Sequence, residues 1–215
     1  MILNTESAVK IAESLLQIKA IKLNPTTPFQ WASGWNSPIY CDNRKTLSYP
    51  PVRTFIRQQF ANAIKEHFPN VEVIAGVATG GIAHGALVAE ALGLPFAYIR
   101  SSSKGHGMQN LIEGDIFKDQ KVVVIEDLIS TGGSSLKAVD ALREHGCDVL
   151  GMVAIFTYGF DLAQKNFEES KCKIITLSDY NSMIDVAVKA NYVSESDVTS
   201  LTEWRTSPHT WNPAK

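Results

Sequence analysis

The strongest constraint on the fold is an alternation of apolar and amphipathic segments that begins at residue 71. Short runs that are apolar throughout, such as VEVIAGV, KVVVIE and DVLGMVAIF, alternate with segments of helical periodicity. The helical stretches IAHGALVAEAL and SSLKAVDALREH are each followed by glycine, which commonly ends a helix. Strands without a polar face, separated by helices, indicate a parallel sheet covered on both sides. The sequence therefore predicts an α/β fold.

The N-terminal part does not follow this alternation. Residues 5–20 have apolar positions at helical spacing, and Asn4 or Thr5 can cap the start of that helix. The stretch LNPTTPFQWASGWNSPIYCDNRKTLSYPP is rich in proline, serine, asparagine and aromatic residues. We expect it to be irregular, with one short extended piece around Ile39–Cys41 and a helix that opens at Pro50.

Length and composition bound the class of protein. The 215 residues, 45% apolar and 20% charged, are typical of a globular protein. We expect one domain over 1–215, with a core of about 51–178 and a small hood formed by about 1–50 plus part of the C-terminal segment. The net charge of -2 gives no indication of nucleic-acid binding, and no apolar run approaches the ~18 residues that span a membrane. Three widely spaced cysteines and no signal-peptide pattern favour a cytoplasmic location.

The stretch VVVIEDLISTGGSS, residues 122–135, combines two acids with a loop of hydroxyls and glycines. Glu126 and Asp127 are predicted at the carboxyl end of a strand, where open parallel sheets bind ligands. Because neighbouring strand residues point to opposite faces, both acids can reach one ligand only if the chain leaves the strand there. The loop Ser130–Ser134 precedes a helix directly, and unobstructed N–H groups at a helix start bind phosphate.

The chemistry of this stretch indicates a phosphorylated sugar as ligand. Carboxylates repel phosphate, so the two acids would face sugar hydroxyls, a developing cation or Mg²⁺. The stretch has neither the Gly-Lys-Ser/Thr ending of a Walker A loop nor the GxGxxG dinucleotide fingerprint. The simpler alternative is a structural turn, in which one acid caps the turn and the other is solvated.

Residues 101–115, SSSKGHGMQNLIEGD, are polar and contain glycine where a crossover helix is expected. Loops of this length inside compact domains tend to be lids or binding loops. Arg100, Lys104 and His106 are three potential cations within seven residues, which could bind an anionic ligand, although a solvated basic loop is the simpler interpretation. His84, one turn into a predicted helix, fits packing or capping better than catalysis.

VVVIEDLISTGGSS resembles the phosphoribosyl-pyrophosphate (PRPP) binding motif of the type I phosphoribosyltransferases. The resemblance implies their fold, a central parallel sheet flanked by helices with a small N-terminal hood. It implies that the acids hold the ribose hydroxyls and that the small-residue loop holds the 5′-phosphate. The PRPP-binding residues that it implies are Arg100, Lys104, His106, Glu126, Asp127, Leu128, Ile129, Ser130, Thr131, Gly132, Gly133 and Ser134.

Three other segments resemble the orotate phosphoribosyltransferase family: RSSSKGHG its catalytic loop, ASGWNSPIYCDNR its hood and GVATGGIAHG its pyrophosphate loop. The resemblance implies Mg²⁺-dependent transfer of ribose 5-phosphate from PRPP to orotate in pyrimidine biosynthesis, with Mg²⁺ held mainly through PRPP. It implies catalytic roles for Lys104, His106 and Asp127, and contact between Ser130 and orotate. It also implies a homodimer in which the 101–115 loop is shared across subunits.

The chain departs from the family pattern at several positions. The acid pair is Glu-Asp where many relatives have Asp-Asp. Ala32, Gly80 and Ser101 stand where many orotate enzymes have basic residues, and AIFTYGF lacks an arginine that contacts orotate. Alternative functions are phosphoribosyl transfer to another nucleobase, or nucleotide sensing or RNA binding by a regulator that keeps the fold. The STGGSS loop disfavours a phospho-acceptor signalling domain, and Trp204 and Trp211 could belong to the core, a dimer interface or a tail.

Overall fold

The computed structural model of the chain describes residues 2, 4–31, 34–101 and 111–212. The first helix is α1 (Thr5–Gln17), and the Asn4 side chain caps it by accepting a hydrogen bond from the Ser7 N–H. Two small antiparallel sheets follow, formed by β1 (Ile21–Leu23) with β4 (Ile39–Cys41) and by β2 (Phe29–Gln30) with β3 (Asn36–Ser37). The extended piece predicted at 39–41 is confirmed, whereas the other three strands are too short to show a sequence alternation.

The core is built on a six-stranded sheet whose strands are β5 (Val73–Val77), β6 (Phe96–Ile99), β7 (Ile112–Glu113), β8 (Lys121–Ile129), β9 (Asp148–Thr157) and β10 (Ile174–Asp179). Their order is β10-β9-β8-β5-β6-β7. Neighbouring strands in the sheet are parallel, with one exception: β7 at the edge pairs antiparallel with β6. The predicted α/β fold with a central parallel sheet is confirmed, and β7 is a short addition within the polar 101–115 segment.

A 3₁₀-helix (Asn43–Ser48) links the N-terminal strands to the helices of the core, which are α2 (Pro50–His67), α3 (Gly80–Leu92), α4 (Gly133–Glu144), α5 (Asp161–Glu169), α6 (Tyr180–Lys189) and α7 (Glu195–Thr206). Alternate residues of β8 enter opposite layers of the core. Val123 and Ile125 pack with residues of α1, α2 and α3, whereas Val122 and Val124 pack with residues of α4 and α5. No helix in the described part of the chain has the length and hydropathy needed to cross a bilayer.

Helix α7 joins the N-terminal hood to the core through a buried aromatic cluster. The Trp204 side chain is fully buried, and its Nε1 donates a hydrogen bond to the Asn36 carbonyl at 3.2 Å. Its ring contacts four others at centroid distances of 5.4–5.7 Å: Trp31, Tyr158, Phe160 and Tyr180. Trp211 is also buried. Of the alternatives left open by the sequence, both tryptophans therefore belong to the core.

Candidate active site

The acid pair lies near the carboxyl end of β8, in the middle of the sheet. The expectation that the chain leaves the strand at this pair is wrong, since β8 continues to Ile129. Its pairing with β5 ends at Ile125, whereas its pairing with β9 continues to the end of the strand. Residues 126–129 of β8 therefore have a neighbouring strand on one side only. The first residues of α3 approach the strand where β5 ends, and both acids face a single cleft there.

Glu126 is almost completely buried and its carboxyl group is fixed by two hydrogen bonds. Ser135 Oγ donates to Oε2 at 2.8 Å, and the Asp127 N–H donates to Oε1 at 2.9 Å. Burial and the neighbouring Asp127 raise the pKa of Glu126 to about 8, and burial also raises the pKa of Asp127. Ionising both of two adjacent desolvated carboxyl groups is energetically unfavourable, because the two negative charges repel each other and lack solvation. A cation or a ligand rich in hydroxyl groups would relieve that cost.

Both acidic residues line a cleft of about 370 Å³, here called the acid cleft. Its walls come from three parts of the chain: Cys41, Asp42, Arg44, Val77, Ala78, Thr79, Gly80, Glu126, Asp127, Leu128 and Ser134. A Cβ atom at Gly80 would lie 2.5 Å from Oδ2 of Asp127 and closer still to Cγ and Oδ1. No side chain therefore fits at position 80 while Asp127 keeps its place. This contact gives a physical reason for glycine at a position where many family members have lysine.

A chain of buried polar contacts connects the hood to the acid pair. Asn43 is fully buried, and its Nδ2 donates to the Asp127 carbonyl at 2.6 Å while its Oδ1 accepts from Cys41 Sγ at 3.3 Å. Thr46 Oγ1 donates to the Asn43 carbonyl at 2.6 Å and lies 3.2 Å from His84 Nε2. Burial lowers the pKa of His84 to about 4, so the ring is neutral at physiological pH. His84 is thus a packed residue of this network, as its position in the sequence indicated.

The small-residue loop between β8 and α4 has the features of an anion site. Gly132 has a φ of 82° and precedes α4, which no side chain caps. An uncapped helix start offers its first N–H groups to a negatively charged ligand. Asn166 Nδ2 donates to the Thr131 carbonyl at 2.8 Å and anchors the loop on α5. The Ile129 side chain, by contrast, is buried in the core, so only its backbone can take part in the predicted PRPP site.

A second cleft of about 290 Å³, here called the aromatic cleft, adjoins the acid cleft. It is lined by Gln30, Trp31, Tyr40, Cys41, Leu128, Ser130 and Tyr158. Cys41 and Leu128 line both clefts, so the two are contiguous at these residues. Ser130, which the family resemblance assigns to orotate, lies here among three aromatic rings that suit a planar ligand. Tyr40 lies in the segment ASGWNSPIYCDNR that resembles the hood of the family, whereas sequence reasoning missed Trp31 and Tyr158, because no motif connects their segments.

Arg100 follows β6 and lines neither of these clefts. Its Nη1 lies 3.4 Å from Oε1 of Glu113 on β7. Arg100 lines a third cleft of about 650 Å³, which meets the acid cleft at Val77, Ala78 and Ser134. Lys104 and His106, like Ala32, lie outside the described residues. The predicted contacts of these two cations with pyrophosphate therefore stay predictions.

The carboxyl groups of the acid cleft offer a small set of oxygen ligands. Among the described residues, no group of three or more His, Cys, Asp or Glu side chains could hold a metal ion. Mg²⁺ prefers oxygen ligands and usually completes its coordination with water and substrate phosphates. The acid pair therefore fits a Mg²⁺ ion that brings most of its ligands with it.

Comparison with known proteins places this geometry in a family. Residues 48–191 match the family described as phosphoribosyl transferase domain. The orotate phosphoribosyltransferase of Porphyromonas gingivalis is 60% identical over 201 residues, which cover 94% of this chain and 96% of the relative. That of Bacteroides fragilis is 56% identical over 204 residues, covering 95% and 96%. The crystal structure of orotate phosphoribosyltransferase from Aeropyrum pernix matches with a TM-score of 0.74 and 25% identity, over 86% of this chain and 99% of that one. The chain therefore belongs to the phosphoribosyltransferases and, within them, to the orotate phosphoribosyltransferase family.

Proposed function

We propose that this enzyme transfers ribose 5-phosphate from PRPP to orotate, giving orotidine 5′-phosphate and pyrophosphate, in pyrimidine biosynthesis. The observation that carries the proposal is the contiguity of the acid cleft and the aromatic cleft at Cys41 and Leu128. A sugar phosphate in the first and a planar base in the second would meet at that junction. The names and the 56–60% identity of the relatives support the same assignment.

The acid pair would act on the ribose. Expulsion of pyrophosphate leaves positive charge at the anomeric carbon, and an ionised Asp127 would stabilise that charge while both acids accept hydrogen bonds from the ribose hydroxyls. Asn43 and Ser135 hold the two acidic residues before any substrate arrives. The catalytic power of such a site comes from positioning and electrostatics, because little has to reorganise during the reaction.

The two ends of the product would be bound by different elements. The 5′-phosphate would lie at the start of α4, against the N–H groups of the small-residue loop. Orotate would lie between the rings of the aromatic cleft, with the Ser130 hydroxyl and the Gln30 amide as hydrogen-bonding groups. None of the described residues that line this cleft is cationic, so hydrogen bonds rather than an ion pair would bind the orotate carboxylate there.

Mg²⁺ is part of the proposal as an ion that arrives with PRPP. When bound, it would supply charge neutralisation of the pyrophosphate leaving group. Glu126 and Asp127 are the acids of this chain that would face the ion, since both residues line the cleft. The pKa values of both acids are raised in the protein without ligand. A nearby cation would lower them again, because it stabilises the ionised carboxylates.

Three further assignments belong to the same proposal. Lys104 and His106 would contact the pyrophosphate, and the 101–115 loop would reach the neighbouring subunit of a homodimer, as the family resemblance implies. The enzyme would act in the cytoplasm. The three cysteines support this location, because all of them are free thiols, as expected in a reducing compartment.

The ultraviolet absorbance of orotate tests the proposal directly. The protein is mixed with orotate, PRPP and Mg²⁺, beside parallel mixtures that contain adenine, hypoxanthine, xanthine or uracil. A fall in absorbance that requires PRPP and Mg²⁺ and occurs with orotate alone is expected. Consumption of a different base would keep the phosphoribosyltransferase assignment but replace the substrate. No reaction with any base would overturn the proposed activity.

A further inference from the structure

The acid cleft has an unusual charge balance for a site that would bind pyrophosphate. Three acids line it, Asp42, Glu126 and Asp127, whereas Arg44 is the one cation among the described residues of its wall. The pyrophosphate loop supplies no positive side chain, since Ala78, Thr79 and Gly80 are neutral. Position 80 has no room for one either, because the Asp127 carboxyl group occupies the space. Positive charge for the leaving group must therefore come from another element.

Arg44 is anchored where it can supply that charge. It follows Asn43, whose side chain is bonded to the Asp127 carbonyl at 2.6 Å, so this part of the 3₁₀-helix is fixed to β8. Arg44 Nε donates to Oδ1 of Asp42 at 2.7 Å, which orients the guanidinium group. That bond uses one of the five N–H donors of a guanidinium. The side chain is 57% exposed, so a ligand entering the cleft can reach it.

The charge of Arg44 also acts on the acid that faces the substrate. Burial raises the pKa of Asp127, and the guanidinium of Arg44 opposes that rise. An ionised acid and a neighbouring cation suit the two parts of a ribose pyrophosphate. The acid matches the positive charge that develops on the sugar, and the cation matches the negative charge of the leaving group.

We propose that Arg44 binds the pyrophosphate group of PRPP, in the role for which the pyrophosphate loop of this chain has no lysine. The inference rests on the proposed function. A guanidinium binds two phosphate oxygens in a fork geometry, and here it can do so while Nε stays on Asp42. Asp42 is then a positioning residue, which holds the guanidinium toward the cleft.

The test compares Arg44→Gln with Lys45→Gln, which removes the same charge from the adjacent residue. Lys45 Nζ bonds the Lys19 carbonyl at 3.1 Å, and Lys45 does not line the acid cleft. Calorimetry measures the Kd of PRPP, of pyrophosphate and of orotidine 5′-phosphate, each with Mg²⁺. Arg44→Gln should weaken the first two by about 10- to 100-fold, the scale of a charged hydrogen bond. Orotidine 5′-phosphate lacks the pyrophosphate group, so its Kd should change by less than ~2-fold.

Two controls make the result specific. Arg44→Lys keeps the charge without the fork, so it should recover part of the lost affinity for pyrophosphate, and Lys45→Gln should leave all three Kd values unchanged. Equal weakening of orotidine 5′-phosphate and PRPP, or an equal effect of Lys45→Gln, would overturn the assignment, because either indicates a general effect of charge. Unchanged pyrophosphate affinity in Arg44→Gln would also overturn it. If the wild-type protein binds pyrophosphate through Arg44 but does not convert orotate, the proposed function fails and the Arg44 site stands.

Discussion

Gly80→Ala tests the geometry of the acid cleft with a single added carbon. The new Cβ would lie 2.5 Å from Oδ2 of Asp127, whereas ordinary van der Waals contact begins at 3.4 Å. The Asp127 carboxyl group would have to withdraw by about 1 Å. Helix α3 itself has little room to move away, because its backbone at Gly81 already lies close to Gly76 and to the Ile125 carbonyl. A misplacement of that size at a reacting centre costs on the order of 100-fold in rate, or about 2.7 kcal/mol of transition-state stabilisation.

The assay is the absorbance of orotate in the presence of PRPP and Mg²⁺, with urea unfolding measured on the same preparations. We expect kcat/KM of Gly80→Ala to fall by about 100-fold while the protein stays folded. Ala86→Ser is the matched control, because it adds one atom to an exposed position of the same helix. It should keep the wild-type rate within ~2-fold.

A rate for Gly80→Ala within ~3-fold of wild type would refute the reasoning, since Asp127 could then be displaced without consequence for catalysis. A loss of rate explained entirely by unfolded protein would assign Gly80 to stability instead of to the position of the acid.

Three further predictions concern the acid pair, the hood and the subunits. The pKa of Glu126 in the folded protein, about 8, is above its ordinary value of 4.5, so the native state keeps a proton that the unfolded state releases. The free energy of unfolding without ligand should therefore fall as the pH rises between these values. In Glu126→Gln, urea unfolding should show a weaker dependence of that free energy on pH. An equal pH dependence in the variant and the wild type would contradict the raised pKa. Trp204→Ala should lower the free energy of unfolding by ~3–5 kcal/mol, whereas Tyr192→Ala, at a half-exposed ring, should cost less than ~1 kcal/mol, and similar losses would contradict the core role of Trp204. If the catalytic loop is shared between subunits, mixing inactive Lys104→Ala with inactive Asp127→Asn protein should restore part of the orotate activity, and no rescue in verified mixed dimers would argue against sharing.

Features that depend on neighbours in the chain could be predicted from the sequence. The sequence predicts the parallel strands because each is apolar on both faces. It also predicts that α3 ends at Gly93, which takes a left-handed conformation there. The sequence also predicts the ligand site at the acid pair and the small-residue loop, because both lie in one contiguous strand–loop–helix unit. The sheet order, by contrast, depends on long-range pairing, and so does the length of β8 beyond its pairing with β5.

The fold class and the residues expected to hold a ribose phosphate follow from the sequence alone, since their chemistry lies in contiguous motifs. The surroundings of those residues, by contrast, depend on how distant segments pack against one another. The contact of Gly80 with Asp127, the bond from Asn43 to β8 and the position of Arg44 on the acid cleft all join segments that are far apart in the chain. Local pattern and periodicity carry no information on such contacts, because packing of the hood and of α3 against the end of β8 creates them.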